Sequence, residues 1–241
     1  MRIIVMDNYD EMSKKAALMI ASQVMLKPNS VLGLATGDTP IGMYKELTKL
    51  YNKRDIDFKE VRTFNLDEYY GINHENHQSY YYFMNANLFN NINIVRENIY
   101  MPNGMEKDVN TSCNEYETKI KELGGIDMQV LGIGGNGHIG FNEPNVNFEA
   151  ETHLVNLEEE TIKANSRFFK SINDVPVKAI SMGIKTIMNS KKIILLASGL
   201  NKAKAIERAV NGKINPNIPA SILQLHNDVT IILDKEAASS L

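Results

Sequence analysis

Apolar residues along this chain come in short runs, and between the runs they recur at the three-to-four spacing of an amphipathic helix. The runs Arg2–Met6, Val31–Ala35, Val61–Asn65, Asn98–Met101, Met128–Ile133, His153–Leu157, Ile193–Ala197 and Val229–Leu233 predict β-strands. The stretches Tyr9–Met25, Ile41–Asn52, Ser79–Phe89, Val109–Leu123, Glu158–Arg167, Ile184–Met188, Asn201–Val210 and Ala220–Gln224 predict helices. Such alternation predicts the α/β class: a doubly wound, Rossmann-like, mostly parallel sheet with helices on both faces. No repeat, low-complexity run or Pro/Ser-rich linker divides the chain, so residues 1–241 read as a single domain.

Composition narrows the partners. A net charge of −3 among 241 residues argues against nucleic acid as the main partner. A single cysteine, Cys113, excludes an internal disulfide framework and suits a reducing compartment. The N-terminal apolar run is only four residues long before acids follow, which does not match a signal peptide. No apolar run approaches the length of a membrane span. A cytoplasmic location without membrane attachment is therefore expected.

In doubly wound sheets, ligands sit outside the carboxyl ends of the strands. Four predicted strands end in polar loops on that edge: ATGDTPIG, NLDEYYG, GNGHIGFNEP and SGLNKAKA. In Gly132–Pro144, four glycines after Ile133, Gly137 among them, let the backbone turn tightly and approach a ligand. The same run carries an imidazole, His138, and a carboxylate, Glu143, a pair suited to moving protons. Gly132, Gly134 and Gly137 also fit the dinucleotide fingerprint, which needs a helix starting at the third glycine. Phe141-Asn142-Glu143-Pro144 interrupts any such helix, because the residue before proline avoids helical geometry. A bound dinucleotide is therefore not expected.

Thr36-Gly37-Asp38-Thr39-Pro40 precedes a helix, where free amides and hydroxyls make an anion site. Proline suits the first helical position, and Asp38 would have to point away from a bound phosphate. Lys202 offers a point charge for the same phosphate, and Arg167 in ANSRFF is a second cation, set among phenylalanines that suggest a partly apolar flap. Asp67 is a candidate base whose aromatic flank, Phe64, Tyr69 and Tyr70, can desolvate it and raise its pKa. His74 and His77 lack a third ligand, so no metal is expected, and His153 and His226 stand outside any constellation. These groups provide an anion pocket, a base and a His–carboxylate pair but no nucleophile. Isomerisation of a small sugar phosphate fits them better than hydrolysis by covalent attack.

The motifs LATGDTP, FNLDEYYG, SYYYFM, GIGGNGHIGFNEP and ANSRFF, in this order, resemble the glucosamine-6-phosphate deaminase family. The resemblance implies isomerisation and deamination of glucosamine 6-phosphate to fructose 6-phosphate and ammonia, without a cofactor. It implies that His138 opens the sugar ring with Glu143 orienting it, and that Asp67 moves the proton from C2 to C1. Phosphate would be held by Thr36, Gly37, Asp38, Thr39, Lys202 and Arg167, under a mobile lid near residues 158–175. Two departures stand out. Some members have aspartate where this chain has Asn136, which cannot titrate, so the ring-opening relay reduces to His138 and Glu143. Glycine is common where this chain has Asp38. A 6-phosphogluconolactonase-like hydrolase, a galactosamine-6-phosphate deaminase and a non-catalytic sugar-phosphate sensor remain alternatives, and the number of subunits stays open.

Overall fold

The strands with the most apolar sequences form the middle of the molecule. The computed structural model describes residues 1–145 and 147–241; the side chains of Glu160, Ala164 and Phe168 lie outside that description. The chain runs β1 (Arg2–Met6), α1 (Tyr9–Leu26), β2 (Val31–Leu34), α2 (Ile41–Asn52), β3 (Arg62–Asn65) and β4 (Asp67–Tyr69). It continues through α3 (Tyr80–Asn87), β5 (Ile99–Tyr100), α4 (Val109–Glu122), β6 (Met128–Leu131), β7 (His153–Asn156) and α5 (Glu159–Asn165). The last elements are β8 (Lys178–Ser181), α6 (Ile184–Met188), β9 (Ile193–Ala197), α7 (Leu200–Val210) and β10 (Val229–Asp234).

Seven strands pair in parallel in the order β1-β10-β9-β6-β2-β3-β5. Every residue of β2, β6, β9 and β10 is buried, as strands covered on both faces must be. From β2 the order runs to β3 and β5 on one side and to β6, β9 and β10 on the other. The gap between the ends of β2 and β6 is therefore the switch point at which such sheets hold ligands.

The predicted class holds, with two differences. The chain carries a second, antiparallel sheet, β4-β8-β7, rather than one sheet alone. The predicted strand at His153–Leu157 joins it, part of the expected NLDEYYG loop becomes β4, and β8 was not anticipated. Asp67 pairs with Ser181, and the Met182 amide donates to the Leu66 carbonyl at 2.7 Å, so partners remote in sequence impose the extended shape. The predicted helix Ala220–Gln224 is a 3-10 helix, Pro219–Leu225. Its amides reach back three residues, as in Ser221 to Ile218, rather than four.

Candidate active site

A cavity of about 560 Å³ opens at the switch point between β2 and β6. Its walls come from the loops after β2 and β6, the start of β4, the 161–167 stretch and the start of α7. Thr36, Gly37, Asp38, Thr39, Asp67, Asn136, His138, Arg167 and Lys202 all line it. Residues spread over more than half the chain thus meet at one edge of the sheet, as the strand-end rule required. Glu143 and Gly137 are not on its wall. The Gly137 amide donates to the Gly134 carbonyl at 3.0 Å, so it is engaged in the turn.

The loop after β6 is shaped around His138. A Cβ on Gly134 would sit 2.3 Å from the imidazole Cε1, so only glycine lets the ring lie there. Gly137 has φ +94°, the left-handed region that glycine tolerates. His138 Nδ1 lies 3.0 Å from Glu143 Oε2, within ion-pair range though not angled for a linear hydrogen bond. Asn136 Nδ2 donates to the same oxygen at 2.9 Å, and Asn136 Oδ1 accepts from the His138 amide at 3.2 Å. Thr161 Oγ1 donates to the other oxygen, Oε1, at 2.5 Å. Burial alone would raise the Glu143 pKa. Contact with His138 and hydrogen bonds from Thr161 and Asn136 outweigh it and hold the carboxyl below its ordinary value. Glu143 is thus a fixed anion that orients a partly exposed imidazole.

Asp67 has the opposite setting. Its residue is 6% exposed, and burial, then the charge of Glu68, push its carboxyl up to about 8. Glu68 is also raised by burial, to about 7, but it accepts backbone hydrogen bonds from Tyr69, Tyr80 and Tyr81, each at 2.9 Å. Three donors favour its ionised form, and two of them belong to the first turn of α3. Asp67 receives no hydrogen bond of this kind among the described residues. Of the two neighbours, Glu68 has backbone donors for its ionised form, and Asp67 is the one raised further, into the range of a proton carrier near neutral pH. The expected desolvation is present, and further rings join it. Tyr80 and Phe141 share the cavity wall with Asp67, whereas Phe64 stacks on Tyr100 at 4.7 Å and meets Tyr116 of α4 edge-on.

The far end of the cavity is cationic. Lys202 sits in the first turn of α7, and burial, then the charge of Arg167, lower its pKa. Pro40 is the cap of α2 rather than its first residue, and no side chain caps that helix. Asp38 is held by a cation from across the chain. Its Oδ2 pairs with Arg167 Nη2 at 2.6 Å across the cavity mouth, with both side chains more than half exposed. Opposite charge draws it there. One phenylalanine of the ANSRFF flap, Phe168, lies outside the described side chains; the other, Phe169, meets Tyr69 edge-on at 5.9 Å.

Several residues escaped the sequence. Thr161 and Asn165 line the cavity from α5; their spacing of four puts them on one helix face, the only signal they gave. Asp234, at the end of β10, accepts from Ser198 Oγ at 2.5 Å, from the Gly199 amide at 3.0 Å and from the Ala237 amide at 2.8 Å. It fixes the loop that delivers Lys202. His74 and His77 pack against Tyr81 and Tyr82, and among the described residues no three His, Cys, Asp or Glu side chains group as metal ligands do. Among the same residues, no helix is long and apolar enough to cross a membrane.

Comparison with known proteins places this arrangement. The model of a family described as glucosamine-6-phosphate isomerases/6-phosphogluconolactonase matches residues 7–232. A glucosamine-6-phosphate deaminase of Clostridium botulinum is 69% identical over 241 residues, covering 100% of this chain and 99% of its own. One of Clostridium acetobutylicum is 64% identical, with 100% of each chain covered. A solved structure described as a monomeric glucosamine-6-phosphate deaminase superposes with a TM-score of 0.98, at 45% identity and with 100% of both chains covered.

Proposed function

The chain belongs to the glucosamine-6-phosphate isomerase/6-phosphogluconolactonase family, and from that premise we propose that it converts glucosamine 6-phosphate and water into fructose 6-phosphate and ammonia. One observation carries the reading beyond family membership. A proton acceptor with a pKa near 8, Asp67, shares a cavity with an anion-oriented imidazole, His138, and a cationic end.

The steps follow from those positions. Lys202, Arg167 and the Thr36–Thr39 loop bind the phosphate, Lys202 as a point charge and the loop through amides at the start of α2. His138 shuttles a proton between ring oxygen and O1 to open the pyranose, while ionised Glu143 stabilises the imidazolium formed on the way. Asn136 holds Glu143 in place without carrying a proton itself. Asp67 removes the proton from C2 and returns it to C1, with an enolamine between. Water then adds at C2 and ammonia leaves. The C1 aldehyde freed by ring opening acidifies the C2 proton, so the side chains named here suffice for its transfer. Residues 158–175 serve as a mobile lid on a single domain, and the protein works in the cytoplasm.

The family description also includes lactonases, which would need only an activated water. The 69% identity to a deaminase over the whole chain favours the first reading. Side-by-side assays decide it. Glucosamine 6-phosphate should release ammonia in step with fructose 6-phosphate. Faster release from galactosamine 6-phosphate would change the substrate, and hydrolysis of 6-phosphogluconolactone without ammonia from either amino sugar would change the reaction.

A further inference from the structure

The two oxygens of Glu143 are held by different parts of the molecule. Oε2 meets Asn136 and His138, both in its own loop. Oε1 receives Thr161, eighteen residues away on α5, and no other donor among the described residues. Thr161 is 6% exposed, so its hydroxyl has little water to turn to. The segment that carries Thr161 also carries Asn165 and Arg167 to the cavity wall, and Arg167 reaches its mouth at the Asp38 ion pair. One short stretch of chain therefore touches the phosphate end through Arg167 and the proton-moving end through Thr161.

We infer that Thr161 is a positioning residue for the Glu143–His138 pair, through which the 158–175 segment sets the ring-opening step. The inference rests on the proposed deaminase reaction. A carboxylate gripped on both oxygens is fixed in its plane, and Oε2 then faces the imidazole. Without the threonine, Oε1 is a buried acceptor with no donor, which drives the carboxylate to rotate or to draw in water. Either change takes Oε2 off Nδ1 and leaves the imidazole free to turn. The grip on Glu143 and the Arg167–Asp38 ion pair are present together, so one segment holds both ends of the cavity wall at once.

Thr161→Val keeps the shape and removes the donor, while Thr161→Ser keeps the donor and removes a methyl group. Wild type and both variants are assayed with glucosamine 6-phosphate, and inhibition by fructose 6-phosphate measures binding at the phosphate end. The valine variant should lose roughly tenfold or more in kcat, as loss of a hydrogen bond to a charged group predicts. Its KM and product inhibition should stay within about twofold of wild type, and the serine variant should recover most of the rate. Wild-type kcat in the valine variant would overturn the inference, as would equal losses in both variants or a loss confined to KM. Failure of the wild type itself to release ammonia would instead overturn the proposed reaction.

Discussion

Replacing Asp67 by asparagine tests the chemistry most directly, because the variant keeps the shape and hydrogen-bonding capacity while losing the ability to take a proton. Burial and the charge of Glu68 set this carboxyl at about 8, so roughly one molecule in ten carries it ionised at pH 7. That is the range in which a general base is both available and strong enough. Removing such a base typically costs ~10²–10⁴-fold in rate. The phosphate end is untouched, so KM should move little. In wild type, kcat/KM for ammonia release should rise with pH and level off above about 8. The limb in kcat should lie lower, because an ammonium group on the bound sugar favours the ionised carboxylate. Turnover of Asp67→Asn within tenfold of wild type would refute the assignment, and so would a wild-type acid limb near pH 4.

The same shift predicts a stability effect of definite sign. A carboxyl whose pKa is raised on folding binds more protons folded than unfolded between its ordinary value, about 4, and about 8. It therefore weakens the fold progressively as pH climbs through that window. Asp67→Asn should melt higher than wild type at pH 8, by roughly 2–4 °C for each kcal/mol relieved. The gap should close towards pH 4. A variant that is both slower and more stable is the signature of a group kept for chemistry at the expense of the fold.

Three further outcomes follow. Lys202→Ala should lose roughly 10–100-fold in kcat/KM and a similar share of the preference for phosphorylated over plain glucosamine; retained preference would place the phosphate elsewhere. Asp38→Asn should make inorganic phosphate a better inhibitor by a few-fold at low salt, because the anion no longer competes with a carboxylate for Arg167; weaker inhibition would mean that Asp38 helps to hold phosphate. Asp127 is gripped by Lys27 at 2.6 Å, Lys191 at 2.7 Å and the Val31 amide at 2.8 Å. These contacts outweigh burial and keep its pKa low, so its contribution should be present above pH 4 and fade below it. Asp127→Ala should cost about 1–3 kcal/mol in urea unfolding at pH 7, and less as the pH falls below about 4.

What the sequence made legible was whatever depends on local pattern. Runs such as Ile193–Ala197 are apolar at every position because both faces are covered, and the order of polar loops at their ends located the cavity. Asp67–Tyr69 could not be read this way. Two acids and a tyrosine look like a turn, and their extended form comes from Ser181 and Ala179, more than a hundred residues on. Thr161 was illegible for a related reason. A threonine in a polar helix has no local sign of purpose, and its role exists only because α5 lies across Glu143. The ion pair of Asp38 gave no local sign either, because Arg167 stands 129 residues on. Each miss is a contact between segments far apart in the chain.

The departure at Asn136 then acquires a physical meaning. Asp67 and Glu143 are driven in opposite directions, one up to about 8 and the other below its ordinary value, and such divergence separates a proton carrier from a permanent charge. A permanent charge at Glu143 is useful only while no second anion competes for the imidazole. An aspartate at position 136 would put a carboxylate about where Asn136 Nδ2 now donates at 2.9 Å, and two carboxylates that close cannot both stay ionised. They would share a proton, and His138 would face a coupled pair that titrates in two steps. Asparagine supplies a neutral donor in that place. The whole charge of Glu143 is left to His138, and the relay shortens to two members without losing its anion. The third contact on that anion then comes from outside the loop, at Thr161, which ties the Glu143–His138 pair to α5.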